Sequence, residues 1–113
     1  MKLRVFFTLI LLVLLALGIA GCGGAGSDTT APDGPTVFLR NVMYSPDQLT
    51  VAAGETVTWI WDDGGTVHDV VGEGFKSELV AQGSFTHTFT EAGTYPYTCT
   101  IHPNMVGTVT VEG

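Results

Sequence analysis

Three side chains that bind metals well lie close together near the end of this 113-residue chain. Cys99, His102 and Met105 occur at i, i+3 and i+6, so one short segment offers a thiolate, an imidazole and a thioether. Soft sulfur donors favour Cu(I), while imidazole accepts both copper oxidation states. This donor set therefore indicates a soft, redox-active metal, and copper fits it best.

A second imidazole would complete the set of two His, one Cys and a weak axial Met that blue-copper sites use. His68 is the obvious candidate, provided that the fold brings its segment beside that of Cys99. His87 shares one face of an alternating segment with Phe85 and Phe89, which favours a structural role for this third histidine. Zinc is an alternative metal, because it also accepts Cys and His ligands.

Short alternating segments separated by Gly and Pro turns fill the chain from residue 36 onwards. In one of them Val57, Trp59 and Trp61 share a face, as expected for the buried side of a sheet. Met43 lies in the first segment and is expected in the core, with packing near the metal site as the alternative. The pattern predicts an all-β, Greek-key β-sandwich or barrel that forms a single domain over residues 36–113. The predicted strands cover residues 37–44, 48–51, 56–61, 67–71, 84–90, 94–99 and 106–111.

The N-terminal residues 1–21 are predicted to be a signal peptide of the lipoprotein type. A positively charged start precedes an apolar run that ends at Ala20, and this layout is typical of secretory signals. The four residues that end at Cys22 resemble a bacterial lipoprotein box, in which the cysteine becomes the lipidated first residue. Alternatives are cleavage at a nearby site or an uncleaved anchor. Residues 22–35 are rich in Gly, Ser, Thr and Pro and predict a flexible membrane tether.

The chain from Cys22 onwards is strongly acidic. Arg40 and Lys76 face eleven acidic residues, which gives a formal net charge of −9. Such a surface repels nucleic acid and anionic lipid headgroups, and it favours redox partners with basic patches. Alternatively, the acidic surface serves only to keep the protein soluble, and this explanation is equally plausible. A disulfide between Cys22 and Cys99 is disfavoured, because lipidation and metal binding are better uses of the two residues.

Together these features resemble the cupredoxins, the family of plastocyanin, amicyanin and pseudoazurin. The short spacing of the sulfur and imidazole donors is most similar to the amicyanin loop. The resemblance implies one type 1 copper, with His68, Cys99 and His102 as equatorial ligands and Met105 as a long axial ligand. It also implies a one-electron carrier cycling between Cu(I) and Cu(II), not an enzyme. The stretches that carry the resemblance are Tyr44–Pro46, Val51–Trp59, His68–Val71 and Phe89–Met105.

Two positions near the expected ligands depart from the family pattern. Asp69 stands after His68, where the family usually has an Asn whose side chain ties the ligand strand to the Cys loop. A carboxylate cannot donate as an amide does, although the Asp69 backbone N–H could still reach the Cys99 sulfur. Ile101 stands before His102 in place of a Pro and restores an N–H donor for that sulfur. The carboxylate lowers the reduction potential and the added donor raises it, so no net potential is predicted.

The family resemblance also implies an electron port on the ligand loop. Its His presents a ring edge at the surface, so Ile101, His102 and Pro103 would form a neutral docking patch. The main interpretation is a membrane-anchored blue-copper carrier, periplasmic or on the outer cell surface. A cytochrome, an oxidase or a reductase would be its partner. The alternatives are an extracytoplasmic copper chaperone or storage module, and a structural sandwich whose four donors never meet.

Overall fold

The computed structural model describes residues 33–113, which form nine strands and no helix. None of these residues therefore forms a helix able to span a membrane. The predicted signal peptide, Cys22 and most of the predicted tether lie outside the described residues. The strands are β1 Thr36–Arg40, β2 Met43–Ser45, β3 Gln48–Ala52, β4 Thr56–Trp61, β5 Val71–Gly72, β6 Phe75–Lys76, β7 Ser84–Thr88, β8 Gly93–Cys99 and β9 His102–Glu112.

The strands form two mixed sheets that enclose the core. The first sheet has the order β2-β1-β4-β7, and the second has the order β3-β9-β8-β5-β6. The β1–β4 and β3–β9 pairs are parallel, while the other pairs are antiparallel. Parallel neighbours cannot be joined by a tight hairpin, so the chain crosses between the sheets. This arrangement confirms the predicted all-β sandwich.

The core is centred on Trp59, which is fully buried. Val57 and Trp61 are buried on the same face of β4, as the alternation predicts. The Trp59 ring packs against Phe85 of the neighbouring strand at 5.6 Å and against Tyr97 of the other sheet at 5.4 Å, centroid to centroid. Aromatic pairs contribute about 0.5–1.5 kcal/mol each beyond the burial of area. They help to hold the two sheets together, and the second sheet carries Cys99, His102 and Met105 on β8 and β9.

The prediction of one continuous strand over residues 37–44 is wrong, because the structure has two strands there. Asn41 and Val42 have φ values of 52° and 57°, and they form the turn between β1 and β2. A β-branched residue such as Val42 favours extended backbone, so the sequence gives no sign of this turn. The prediction that Met43 lies in the core is also wrong, because this side chain is 56% exposed.

The strands around the predicted ligands also differ from expectation. The predicted strand 67–71 is reduced to a single bridge between His68 and Val80, and β5 begins only at Val71. The sequence does not predict β6, because two residues are too few to show alternation. β9 begins four residues before the predicted strand 106–111, because Cys99 and His102 pair across a tight turn.

Candidate metal centre

Cys99 and His102 face each other across a two-residue turn. Cys99 ends β8 and His102 begins β9, with Thr100 and Ile101 between them. The pairing register shifts between Thr98 and Cys99, and such irregularities re-aim side chains that regular alternation would send to opposite faces. Cys99 is 1% exposed, and its Sγ atom lies 3.4 Å from His102 Nδ1. The turn therefore presents two donors to one point.

His68 brings a third donor from a distant part of the chain. It is fully buried, and its Nδ1 atom lies 4.0 Å from the Cys99 sulfur and 3.2 Å from His102 Nδ1. The three donor atoms all lie within 4.8 Å of one another. The structure thus brings together the two imidazoles and the thiol that the sequence analysis singled out.

The chemistry of this cluster fits a soft metal ion. Metal binding needs a deprotonated thiol and neutral imidazoles, and here one nitrogen of each ring faces the sulfur. Two imidazoles and one thiolate are ligands for copper, and zinc accepts them too. Burial of His68 and Cys99 keeps water from competing for these positions. The donor set therefore has the right composition and spacing for a copper ion.

Met105 is the fourth predicted donor and is buried on β9. The residue is 1% exposed and lines a cavity of about 80 Å³ together with Met43, Tyr44 and Val106. Met43 also reaches this cavity, although it is largely exposed. Met105 is thus shielded from bulk solvent, and its ligand role stays a prediction.

Backbone bonds between His68 and Val80 fix the His68 segment together with hydrogen bonds from side chains. The Trp61 indole N–H donates to the His68 carbonyl at 3.0 Å, and the Tyr44 hydroxyl donates to the Asp69 carbonyl at 2.7 Å. The Ser77 hydroxyl accepts the Val70 N–H at 2.8 Å. Buried backbone groups need such partners when no neighbouring strand supplies them. These bonds hold His68 in place although its segment forms only a single bridge.

Asp69 joins the His68 segment to the Cys99 turn. Its carboxylate accepts hydrogen bonds from the Thr100 N–H at 2.7 Å and the Thr100 hydroxyl at 2.6 Å. The link expected of an Asn at this position is therefore made by a carboxylate that only accepts. Among residues 33–113 the hydrogen-bond partners of the Cys99 sulfur are the two imidazole nitrogens. The backbone N–H groups of Asp69 and Ile101 are not among its partners in this part of the chain.

Asp63 is a contact of His68 that the sequence analysis missed. One carboxylate oxygen lies 2.7 Å from His68 Nε2, and the carboxylate also accepts the N–H groups of Asn41 and Val42. Desolvation alone would raise the pKa of Asp63, but the bonds from Val42, His68 and Asn41 outweigh it, and the pKa is lowered. In the sequence Asp63 is only part of a strand-breaking Asp-Asp-Gly-Gly run, and no spacing rule connects it to a ligand.

The predicted docking patch surrounds the most accessible member of the cluster. His102 is partly exposed, whereas His68 and Cys99 are buried. Ile101 is 46% exposed, and Pro103 is also exposed. None of these surface neighbours carries a charge.

His87 is not part of the donor cluster. Its half-buried ring stacks on Phe75 at 5.0 Å and meets Phe89 edge-on at 4.7 Å. These contacts agree with the structural role that the sequence favours for it.

Comparison with known proteins agrees with this geometry. Residues 38–112 match the family model described as copper binding proteins, plastocyanin/azurin family. The chain is 39% identical over 98 residues to amicyanin of Paracoccus versutus, which covers 78% of this chain and 71% of that protein. It is 36% identical over 90 residues to plastocyanin of Scenedesmus fuscus, covering 63% and 88% respectively. A solved Cu(I) structure of an amicyanin variant aligns with a TM-score of 0.67 at 35% identity, covering 74% of this chain and 87% of the other.

Proposed function

Because this chain belongs to the plastocyanin/azurin family of copper-binding proteins, we propose that it shuttles single electrons between redox proteins outside the cytoplasm. The family comprises electron carriers rather than enzymes, and copper is its cofactor. The observation that carries the proposal is the convergence of one thiol and two imidazoles within 4.8 Å, with the thiol and one imidazole buried.

We propose that His68, Cys99, His102 and Met105 would hold the copper ion. A bound copper ion would supply one-electron chemistry by alternating between Cu(I) and Cu(II). The Asp69 link to the Cys99 turn holds the donor-bearing segments in one arrangement. Since these contacts do not use the donor atoms, they would persist in either oxidation state of a bound ion. Little rearrangement then accompanies the transfer of an electron.

The proposed electron port is the patch of Ile101, His102 and Pro103. The His102 ring connects the surface to the buried thiol, from which its Nδ1 atom is 3.4 Å away. An uncharged patch allows a partner to approach closely without desolvating a charge. The acidic remainder of the surface favours a cytochrome, an oxidase or a reductase with a basic patch around its own port.

The proposed membrane anchor is a lipid on Cys22, followed by the tether of residues 22–35. This part of the proposal is supported by the sequence pattern alone. A lipid chain stabilises membrane attachment by about 0.8 kcal/mol for each buried methylene group. Intact-mass analysis of the membrane-bound protein should show the acyl groups on Cys22. Release of a Cys22→Ala variant without detergent would support the anchor, and unchanged retention would contradict it.

Copper titration of the purified protein tests the central proposal. Cu(II) should produce an intense blue colour and an EPR spectrum with narrow hyperfine splitting, both lost and regained on reduction and reoxidation. Cys99→Ser should abolish the colour, while His87→Gln, the matched control outside the cluster, should keep it. Met105→Leu should keep the colour and raise the reduction potential. Binding of Cu(I) without this spectrum would support the chaperone or storage alternative, and absence of copper binding would refute both.

A further inference from the structure

Asp63 connects the turn between β1 and β2 to the buried His68 ring. Its Oδ1 atom accepts the Asn41 N–H at 2.9 Å, and its Oδ2 atom accepts the Val42 N–H at 3.0 Å. The same Oδ2 atom lies 2.7 Å from His68 Nε2. The Asp63 side chain is 15% exposed, so protein donors rather than water satisfy most of its lone pairs.

The turn that Asp63 holds has an unfavourable backbone conformation. Asn41 and Val42 both lie in the left-handed region, which asparagine tolerates and a β-branched residue strongly disfavours. Residues persist in such conformations only where the surrounding structure over-determines them. The two backbone N–H groups that bond to the carboxylate supply this constraint. The Asp63 carboxylate and this turn outside the metal centre therefore hold each other in place.

The two nitrogens of the His68 ring have different partners. Nδ1 faces Cys99 and His102, while Nε2 faces Asp63. An Nε2–H that donates to the carboxylate leaves the Nδ1 lone pair for a metal ion, because the bond at one nitrogen sets the state of the other. The carboxylate thereby selects both the tautomer and the rotation of the ring.

We propose that Asp63 is a positioning residue that locks the His68 ring in its metal-binding orientation by bracing it against the β1–β2 turn. The inference rests on the proposed ligand role of His68. Asp62 offers a matched control, because it carries the same charge one residue earlier. It pairs instead with Arg40 at 2.7 Å, and the two side chains are 55% and 46% exposed.

Copper retention tests the proposal. Loss of an outer hydrogen bond to a ligating imidazole typically weakens metal affinity about 10- to 100-fold. Transfer of copper from the Asp63→Ala protein to a competing chelator should therefore become more favourable by a factor in that range. The Asp62→Ala protein should stay close to the parent, because an exposed ion pair contributes little.

NMR of the Cu(I)-loaded protein reports the ring directly, since Cu(I) is diamagnetic. The His68 Nε2–H proton should exchange slowly with water in the parent and in the Asp62→Ala protein. In the Asp63→Ala protein this proton should exchange rapidly and lose its signal. A role confined to the stability of the fold would not produce this local difference.

Loss of the Asp63 bonds to the turn also destabilises the fold of the Asp63→Ala protein. A double variant that adds Val42→Gly separates this effect from the loss of the His68 contact. Glycine adopts positive φ without steric cost, and the double variant should recover thermal stability but not the His68 proton or the copper retention. Recovery of the His68 proton signal and of copper retention in the double variant would overturn the proposal. So would an Asp63→Ala protein that matches the Asp62→Ala protein in these two measurements. Failure of the parent itself to bind copper would refute the ligand role of His68 and, with it, this inference.

Discussion

Replacement of Thr100 by Val should weaken the link between the two segments that carry the proposed ligands. The Thr100 hydroxyl donates to the Asp69 carboxylate at 2.6 Å, and Asp69 is 4% exposed. Valine has nearly the same shape but cannot donate a hydrogen bond. The Thr100 N–H bond to the same carboxylate remains, so the change removes one of two charge-assisted bonds.

The size of the effect follows from the charge and burial of the acceptor. A hydrogen bond to a charged group contributes about 1.5–3 kcal/mol, and a neutral one about 0.5–1.5 kcal/mol. Because Thr100 is itself exposed, we expect the lower part of the first range, about 1.5–2 kcal/mol, for Thr100→Val. Thr98 is the matched control, since its hydroxyl donates at 3.2 Å to the neutral Cys99 carbonyl. Thr98→Val should lower the free energy of unfolding by about 1 kcal/mol or less.

Urea denaturation of the copper-free protein measures these free energies of unfolding without a contribution from metal binding. Combining Thr100→Val with Asp69→Asn completes a double-mutant cycle. An Asn side chain can accept the Thr100 N–H and donate to a rotated hydroxyl, so Thr100→Val should cost less when residue 69 is Asn. We expect a coupling energy of about 1 kcal/mol. Equal losses at Thr98 and Thr100, together with no coupling, would refute the role of Asp69 as the link.

Three further predictions concern the docking patch, the alkaline limit of stability and the indole behind His68. Ile101→Glu should slow electron exchange and leave the visible spectrum intact, so an unchanged rate would count against the patch. Burial raises the pKa of Tyr97 to about 12. Since the unfolded phenol ionises first, near pH 10, this stabilisation is complete below pH 10 and is lost as the pH rises towards 12. In the Tyr97→Phe protein the urea midpoint should fall less steeply with pH over that interval. An unaltered dependence of the midpoint on pH would contradict the assignment. Trp61→Phe should lower the free energy of unfolding by at least about 1 kcal/mol, because it removes the indole bond to the His68 carbonyl and reduces a buried side chain; no loss would show that the indole bond is unimportant.

The donors of the metal centre were predictable because their chemistry is local or rare in this chain. Cys99 and His102 lie three residues apart at a strand end, where a tight turn brings both side chains to one point. His68 could be chosen because the chain has three histidines and His87 alternates with aromatic residues on a core-facing side. The alternating segments likewise predicted the buried face of β4. These inferences needed only periodicity and ligand chemistry.

The residues that position the donor side chains were not predictable, because they act through contacts between residues far apart in the chain. Asp63 interacts with the turn of Asn41 and Val42 more than 20 residues earlier, and this contact stabilises a conformation that valine disfavours. The propensity of Val42 for extended backbone consequently favoured one strand where there are two. The same reason explains the segment of His68, whose backbone bonds to the Val80 backbone and to the side chains of Tyr44 and Trp61.

The outer contacts of the metal centre divide into two carboxylate links with different tasks. Asp69 accepts two bonds from Thr100 and so fixes the distance between the two ligand segments. Asp63 contacts His68 itself and so fixes the rotation of one ring. Protein donors disperse the negative charge of both groups, which limits how far either would favour the more positive oxidation state of a bound copper. An uncompensated carboxylate in either place would position its partner less well and would bias the centre more strongly towards Cu(II). The hydrogen-bond donors around Asp63 and Asp69 are therefore as much a part of this centre as the carboxylates they satisfy.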